Sequence, residues 1–115
     1  MSEPRVTRIG EAPAYVAPLH HGVDTVRLQG LEAGPTQHFW VGLSRYAPDG
    51  GADLAPTREE TVYVVLDGEL TVHTGETVVT LTQHDSIHLS KGVERRIDND
   101  SGRPATLLVI IAQPS

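Results

Sequence analysis

The sequence contains no cysteine. That removes disulfide frameworks, thiol nucleophiles and every zinc or iron–sulfur site built on thiolates. Positive charge is scarce as well: 9 Lys and Arg stand against 15 Asp and Glu, for a formal net charge of −6. Nucleic-acid binding needs a basic surface to displace counterions, and anionic lipid headgroups need the same, so neither nucleic acid nor membrane is an expected partner. Long apolar runs are also missing. The longest, Leu107 to Ala112, falls far short of the roughly 20 residues that cross a bilayer, and Met1 to Glu11 holds no apolar stretch of signal-peptide length. A cytoplasmic protein is the expectation. Aromatics are few, with one Trp, one Phe and three Tyr.

What is present points to β structure. A chain of 115 residues encloses one hydrophobic core, so any site lies inside that core or between subunits. The 11 glycines and 8 prolines are spread along the chain, and between them lie short segments rich in Val, Thr, Leu and Ile. The spacing predicts strands at Asp24–Leu28, Gln37–Tyr46, Thr61–Leu66, Glu69–Thr74, Thr77–Thr82, Ser86–Leu89, Glu94–Asp98 and Thr106–Ala112. Asp67-Gly68, His73-Thr74-Gly75-Glu76 and Asn99-Asp100-Ser101-Gly102 carry turn chemistry between them. No segment keeps a 3.6-residue apolar period over ten or more residues, so little helix is expected. The reading is a barrel or sandwich of short strands. Residues 1–22, with Pro13, Pro18 and His20-His21-Gly22, read as an irregular N-terminal arm that either packs on a partner subunit or trails as a tail. Residues 23–115 form the domain proper, with no repeat or low-complexity linker.

From Pro48 to Asn99 the pattern resembles the cupin superfamily. Its first motif runs G-x5-H-x-H-x3-E-x6-G after a Pro-Gly-type turn. Here Ala47-Pro48-Asp49-Gly50-Gly51 supplies the turn, and Val62-Tyr63-Val64-Val65-Leu66-Asp67-Gly68-Glu69-Leu70 matches the motif's end. The second motif, G-D-x4-P-x-G-x2-H-x3-N, is met by Asp85, Gly92 and Asn99, with His84 and Ser90 replacing its first glycine and its proline. The resemblance implies a single-domain, all-β jelly-roll barrel. It also places the family's metal ligands at Ala55, Thr57, Thr61 and Arg95. Alanine offers no donor atom, threonine hydroxyls bind borderline metals weakly, and a guanidinium stays protonated and repels a cation. The expectation is therefore a metal-independent cupin with no cofactor. Glu59 and Glu60 do not restore the carboxylate by a shift in register, because a one-residue shift turns a strand side chain to the other face.

The resemblance, carried along each strand by period-two alternation, implies an inward set. It comprises His38, Trp40, Gly42, Ser44 and Tyr46; Thr57, Thr61, Tyr63 and Val65; Arg95 and Ile97; and Leu107, Val109 and Ile111. The resulting cavity is apolar with a few polar groups, as small-molecule pockets usually are. The candidate ligand-binding residues are Trp40, Ser44, Tyr46, Thr57, Thr61 and Arg95. Trp40 and Tyr63 either wall a planar substrate or simply fill the core. Arg95 either takes an anionic oxygen of a ligand in its fork or pairs at the barrel mouth with Glu94, Asp98 or Glu60. The candidate catalytic set is His38 as a base near neutral pH, Tyr63, and Arg95 to stabilise a developing oxyanion. His20 and His21 fall in the arm, and His73, His84 and His88 fall outside the inward set.

Three functions fit these residues. One is a metal-free isomerase, cyclase or lyase acting on a small anionic or oxygenated metabolite. Another is a non-catalytic ligand-binding or accessory module; metal-free binding of a small molecule, common to these two, is the favoured reading, with catalysis itself left open. The third is a metal enzyme with unusual ligands such as His38 with His84 or His88, against which spacing and parity speak. Outward apolar residues Val62, Val64 and Leu66 call for a cover, so a homodimer is the expected assembly.

Overall fold

A computed structural model describes residues 3–114. It is an all-β, nearly closed antiparallel barrel of nine strands: β1 (Ala14–Tyr15), β2 (His20–Gln29), β3 (Phe39–Pro56), β4 (Thr61–Asp67), β5 (Leu70–Thr74), β6 (Val78–Leu81), β7 (Ser86–Leu89), β8 (Glu94–Asp98) and β9 (Ala105–Ala112). Helix is confined to two short 3-10 turns, Ile9–Glu11 and Leu31–Ala33. No helix among the described residues is long and apolar enough to cross a membrane. The strands run in the order β6-β5-β8-β3-β9-β4-β7, with β2 on β3 and β1 on β2.

The jelly-roll path depends on β3, which is far longer than the sequence spacing suggests. Its first half pairs with β9 from Phe39↔Ala112 to Tyr46↔Ala105, and its second half pairs with β8 from Gly51↔Asp98 to Pro56↔Glu94. The stretch Ala47–Gly51, expected as a turn, is the bend at which this one strand leaves β9 and takes up β8 as its partner. Two glycines make the bend possible. A Cβ on Gly50 would collide with the Gly22 carbonyl oxygen, and one on Gly51 would sit 2.7 Å from the Ile97 carbonyl oxygen. Both lie too close for any side chain.

The remaining strands fall where alternation places them, with ends shifted by a residue or two, as fraying permits. Two differences bear on the site. β2 starts at His20 rather than Asp24, and β1 lies inside the segment read as an irregular arm, pairing Ala14↔Val26 and Tyr15↔Thr25. The arm thus folds onto its own barrel; its first two residues lie outside those described.

Inward residues make the core. Tyr46, Val65, Leu70, Val72, Ile97 and Leu107 are each no more than 1% exposed. Outward Val62, Val64 and Leu66 are half-buried. Asn99 closes the β8–β9 turn from a fully buried position. Its amide nitrogen donates to the carbonyls of Ala47 and Arg103, and its oxygen accepts from the Ser101 amide and hydroxyl.

Candidate functional site

The barrel encloses a cavity of about 420 Å³, within the range of roughly 300–1,000 Å³ usual for small-molecule sites. Registration of β3, β9 and β4 builds one wall in layers. Trp40 pairs with Ile111 and Ile111 with Thr61; below them Gly42 pairs with Val109 and Val109 with Tyr63; deeper still Ser44 pairs with Leu107 and Leu107 with Val65. The opposite side comes from β8, where Arg95 faces Ala55 of β3. The segment from Tyr15 to His20 completes the mouth. Leu19 in that segment holds a left-handed backbone, φ 62°, a conformation that a bulky residue adopts only when its surroundings impose it. Its carbonyl is fixed by the Asp53 amide at 2.9 Å.

All four positions at which the resemblance implies metal ligands line this cavity: Ala55, Thr57, Thr61 and Arg95. Their chemistry does not suit a divalent cation. The Thr57 hydroxyl donates to the Ser90 carbonyl at 2.8 Å and the Thr61 hydroxyl to the Glu59 carbonyl at 2.9 Å, so both are engaged in fastening the β3–β4 connection. Ala55 has no donor atom and Arg95 carries a fixed positive charge. No cluster of three His, Asp or Glu side chains with ligand geometry occurs among the described residues.

Arg95 makes none of the three surface pairings open to it in the sequence, with Glu94, Asp98 or Glu60. Its Nε donates to the Tyr63 hydroxyl at 3.1 Å and its Nη1 to the Asp53 carbonyl at 2.9 Å. Both acceptors are neutral, so the guanidinium is oriented but not neutralised. Beside it, burial pushes the Tyr46 hydroxyl well above the ordinary tyrosine range, with neighbouring Tyr63 adding to the shift and Arg95 opposing it. That hydroxyl stays a hydrogen-bond donor. His20 also faces the cavity. Burial lowers its pKa, the Pro18 carbonyl 2.8 Å from Nδ1 opposes that, and Arg95 lowers it further. Its ring is neutral near pH 7.

A second arginine is held differently. Arg27 of β2 lies opposite Gly42, and its guanidinium carbon stands 3.4 Å from the Tyr15 ring centre and 4.2 Å from that of Trp40. The two rings meet edge to face with centres 5.8 Å apart. Its Nε donates to Glu32 at 2.8 Å, while its buried Nη1 finds no oxygen or nitrogen acceptor and rests in this aromatic box. Gly42 makes the box possible, since a Cβ there would lie 2.9 Å from the Trp40 ring and 3.3 Å from the Tyr15 hydroxyl. Burial raises the Tyr15 hydroxyl's pKa, against the pull of Arg27 and of the Ser44 hydroxyl.

Of the residues proposed from sequence, Trp40, Ser44, Tyr46, Thr57, Thr61, Tyr63 and Arg95 line the one cavity. His38 does not, and this corrects its expected inward position. It precedes β3, its side chain is exposed, and its carbonyl accepts from the Gln113 amide at 2.9 Å. The strand begins one residue later, so alternation does not reach it. His84 is exposed in the turn before β7 with φ 71°, and exposed His88 pairs with Glu60 at 2.6 Å, both away from the cavity.

Five lining residues with polar or charged side chains were not singled out from the sequence: Tyr15, His20, Arg27, Arg58 and Glu59. Glu59 is the one acidic side chain that lines the cavity among the described residues. The alternation rule excluded it, but residues 57–60 are a connection rather than a strand, and the rule has no force there. Its carboxylate lies 3.5 Å from Lys91 and is 19% exposed.

A family model described as the cupin domain matches residues 42–111. Beta-D-galactosidase Rv1717 of Mycobacterium tuberculosis is 58% identical over 110 residues, covering 96% of this chain and 95% of its own length. Two solved structures share the fold at low identity. A cupin of the RmlC-like type from Shewanella frigidimarina superposes with a TM-score of 0.79 at 13% identity, over 97% of this chain and 93% of its own. The polyketide cyclase RemF of Streptomyces resistomycificus superposes with a TM-score of 0.80 at 16% identity, over 96% of this chain and 80% of its own.

Proposed function

We propose that this chain, which belongs to the cupin domain family, binds a β-galactoside in its barrel and hydrolyses it without a metal ion. The observation that carries this reading is the 58% identity, over nearly the whole of both chains, to a protein named a β-D-galactosidase. The cavity is consistent with it. Leu107, Val109 and Ile111 offer an apolar wall to the C–H face of a pyranose, and Ser44, Tyr46, Tyr63 and Arg95 offer polar groups to its hydroxyls.

Hydrolysis of a glycoside ordinarily uses two carboxyl groups, one moving a proton to the leaving oxygen and one acting on the opposite face of the sugar. Glu59 supplies one. As general base it takes a proton from a water adding to the anomeric carbon. Tyr63 takes the other role, passing its hydroxyl proton to the departing oxygen as the glycosidic C–O bond breaks. The Arg95 Nε, 3.1 Å from that hydroxyl, stabilises the negative charge left on the phenolic oxygen. The water's proton, held on Glu59, then returns through solvent to Tyr63 and completes the cycle. Thr61 positions Glu59 by its bond to the Glu59 carbonyl.

The presence of a single cavity carboxylate favours one second reading, a galactoside-binding module without turnover. Release of nitrophenol from p-nitrophenyl β-D-galactoside separates the two. The hydrolase reading expects turnover by the metal-stripped protein and a loss of about hundredfold or more in Glu59→Gln. Galactoside binding without any release supports the binding module. Release that depends on added metal, or that survives in Glu59→Gln, overturns the proposed chemistry.

A further inference from the structure

The charges of the cavity run against those of the chain. The protein as a whole carries a formal −6, yet three arginines, Arg27, Arg58 and Arg95, line the cavity against one glutamate. Two of these four charges are already matched, Arg27 by Glu32 at 2.8 Å and Glu59 by Lys91 at 3.5 Å. Arg58 and Arg95 have no carboxylate within ion-pair distance among the described residues. Arg95 is the better placed of the two, being partly buried and locked in orientation by the Tyr63 hydroxyl and the Asp53 carbonyl. Those bonds use Nε and Nη1 and leave Nη2 without a protein acceptor among the described residues.

Neighbouring hydrogen-bond chemistry points the same way. The Tyr63 oxygen already accepts from Arg95, so its own proton is available to a ligand. Tyr46, 1% exposed at the cavity wall, is held in its protonated form by burial and is a donor too. A wall of donors around an unneutralised guanidinium is a site for an acceptor carrying negative charge, because otherwise the partly buried cation goes uncompensated.

We infer that the natural substrate is an acidic galactoside whose carboxylate or phosphate, carried at C6, sits on Arg95 beside Tyr46. The inference rests on the galactoside reading above and narrows its substrate class. It also agrees with the sugar's geometry. In a pyranoside the C6 substituent and the glycosidic oxygen flank the same ring oxygen, so one guanidinium can hold the acid group while supporting Tyr63 at the bond that breaks.

The test compares three nitrophenyl substrates: the neutral β-D-galactoside, the β-D-galacturonide and the β-D-galactoside 6-phosphate. Expected is a kcat/KM for one acidic substrate at least tenfold above the neutral one, with the preferred acid deciding between carboxylate and phosphate. Equal or better turnover of the neutral galactoside overturns the inference and leaves the hydrolase reading standing. If none is cleaved, calorimetry with galactose, galacturonate and galactose 6-phosphate decides. An acid bound at least tenfold tighter than galactose supports the Arg95 seat while hydrolysis fails, and equal affinities remove the seat as well. In Arg95→Gln, checked for native circular dichroism, the preference for the acid should vanish in whichever measurement shows it. Tyr46→Phe should reduce it if Arg95→Gln does not fold. A preference kept in the folded variant overturns the assignment.

Discussion

Arg27 and Arg95 show how one residue type serves two ends in a small barrel. Arg27 is 13% exposed, boxed by Tyr15 and Trp40 and matched by Glu32, so its charge is spent on holding β1 and β3 against β2. Arg95 is held by neutral acceptors, so its charge is left unmatched, as the acidic substrate proposed above requires. His20 makes a third case, with consequences for pH. Burial depresses its pKa below the ordinary histidine value, so the unfolded chain binds the proton more readily than the folded one. The stability that neutral His20 contributes is present above about pH 6.5 and is lost as the pH falls from there through the folded value. Thermal unfolding followed from neutral pH to about pH 5 should therefore show a smaller fall in Tm for His20→Gln than for the parent; parallel curves would refute it. Six of the seven candidate cavity residues lie on strands, where alternation fixes direction; Thr57 lies in the connection after β3 and is placed by the motif resemblance alone. Glu59 lies in a connection, and Tyr15 and His20 bracket one, where no period exists to read. Arg27 sits on a strand, but its inward direction depends on the space left by Gly42, across the sheet and distant in sequence.

Among the elements, β3 carries the greatest weight. Its bend at Gly50 and Gly51 is a backbone crossing over Gly22 and Ile97, and Gly50→Ala forces a methyl group into the Gly22 carbonyl. The expected loss is about 1–3 kcal/mol, read as a lower urea midpoint with an unchanged m-value. A neutral outcome would mean that the crossing is loose. The strands β4, β7 and β8 were readable because half-buried strands alternate and their turns carry Gly, Asp and Asn. The length of β3 was not. Pro48, Asp49 and the glycine pair are turn formers in isolation, and here they form the bend itself, Asp49 with a left-handed φ of 69°, while pairing with β2 and β8 resumes at Gly51 and carries the strand on.

For the molecule as a whole, closure is incomplete. β6 and β7 stand at the two ends of the strand order, and Val78, which opens β6, is 66% exposed. An open edge with an apolar side chain is what a second copy covers most simply. Light scattering is expected to give a dimer that Val78→Lys shifts toward monomer; a monomeric parent protein would end that expectation. The long path of β3 has one more consequence. Ser44 and Tyr46 stand on one side of its bend and Ala55 and Pro56 on the other, and all four face the cavity. A single covalent strand thus spans both halves of the binding chamber. Under the proposed function, a strand continuous through both halves leaves the mouth framed by the segment from Tyr15 to His20 as the way in for a ligand, so that doorway would take part in selection along with the floor.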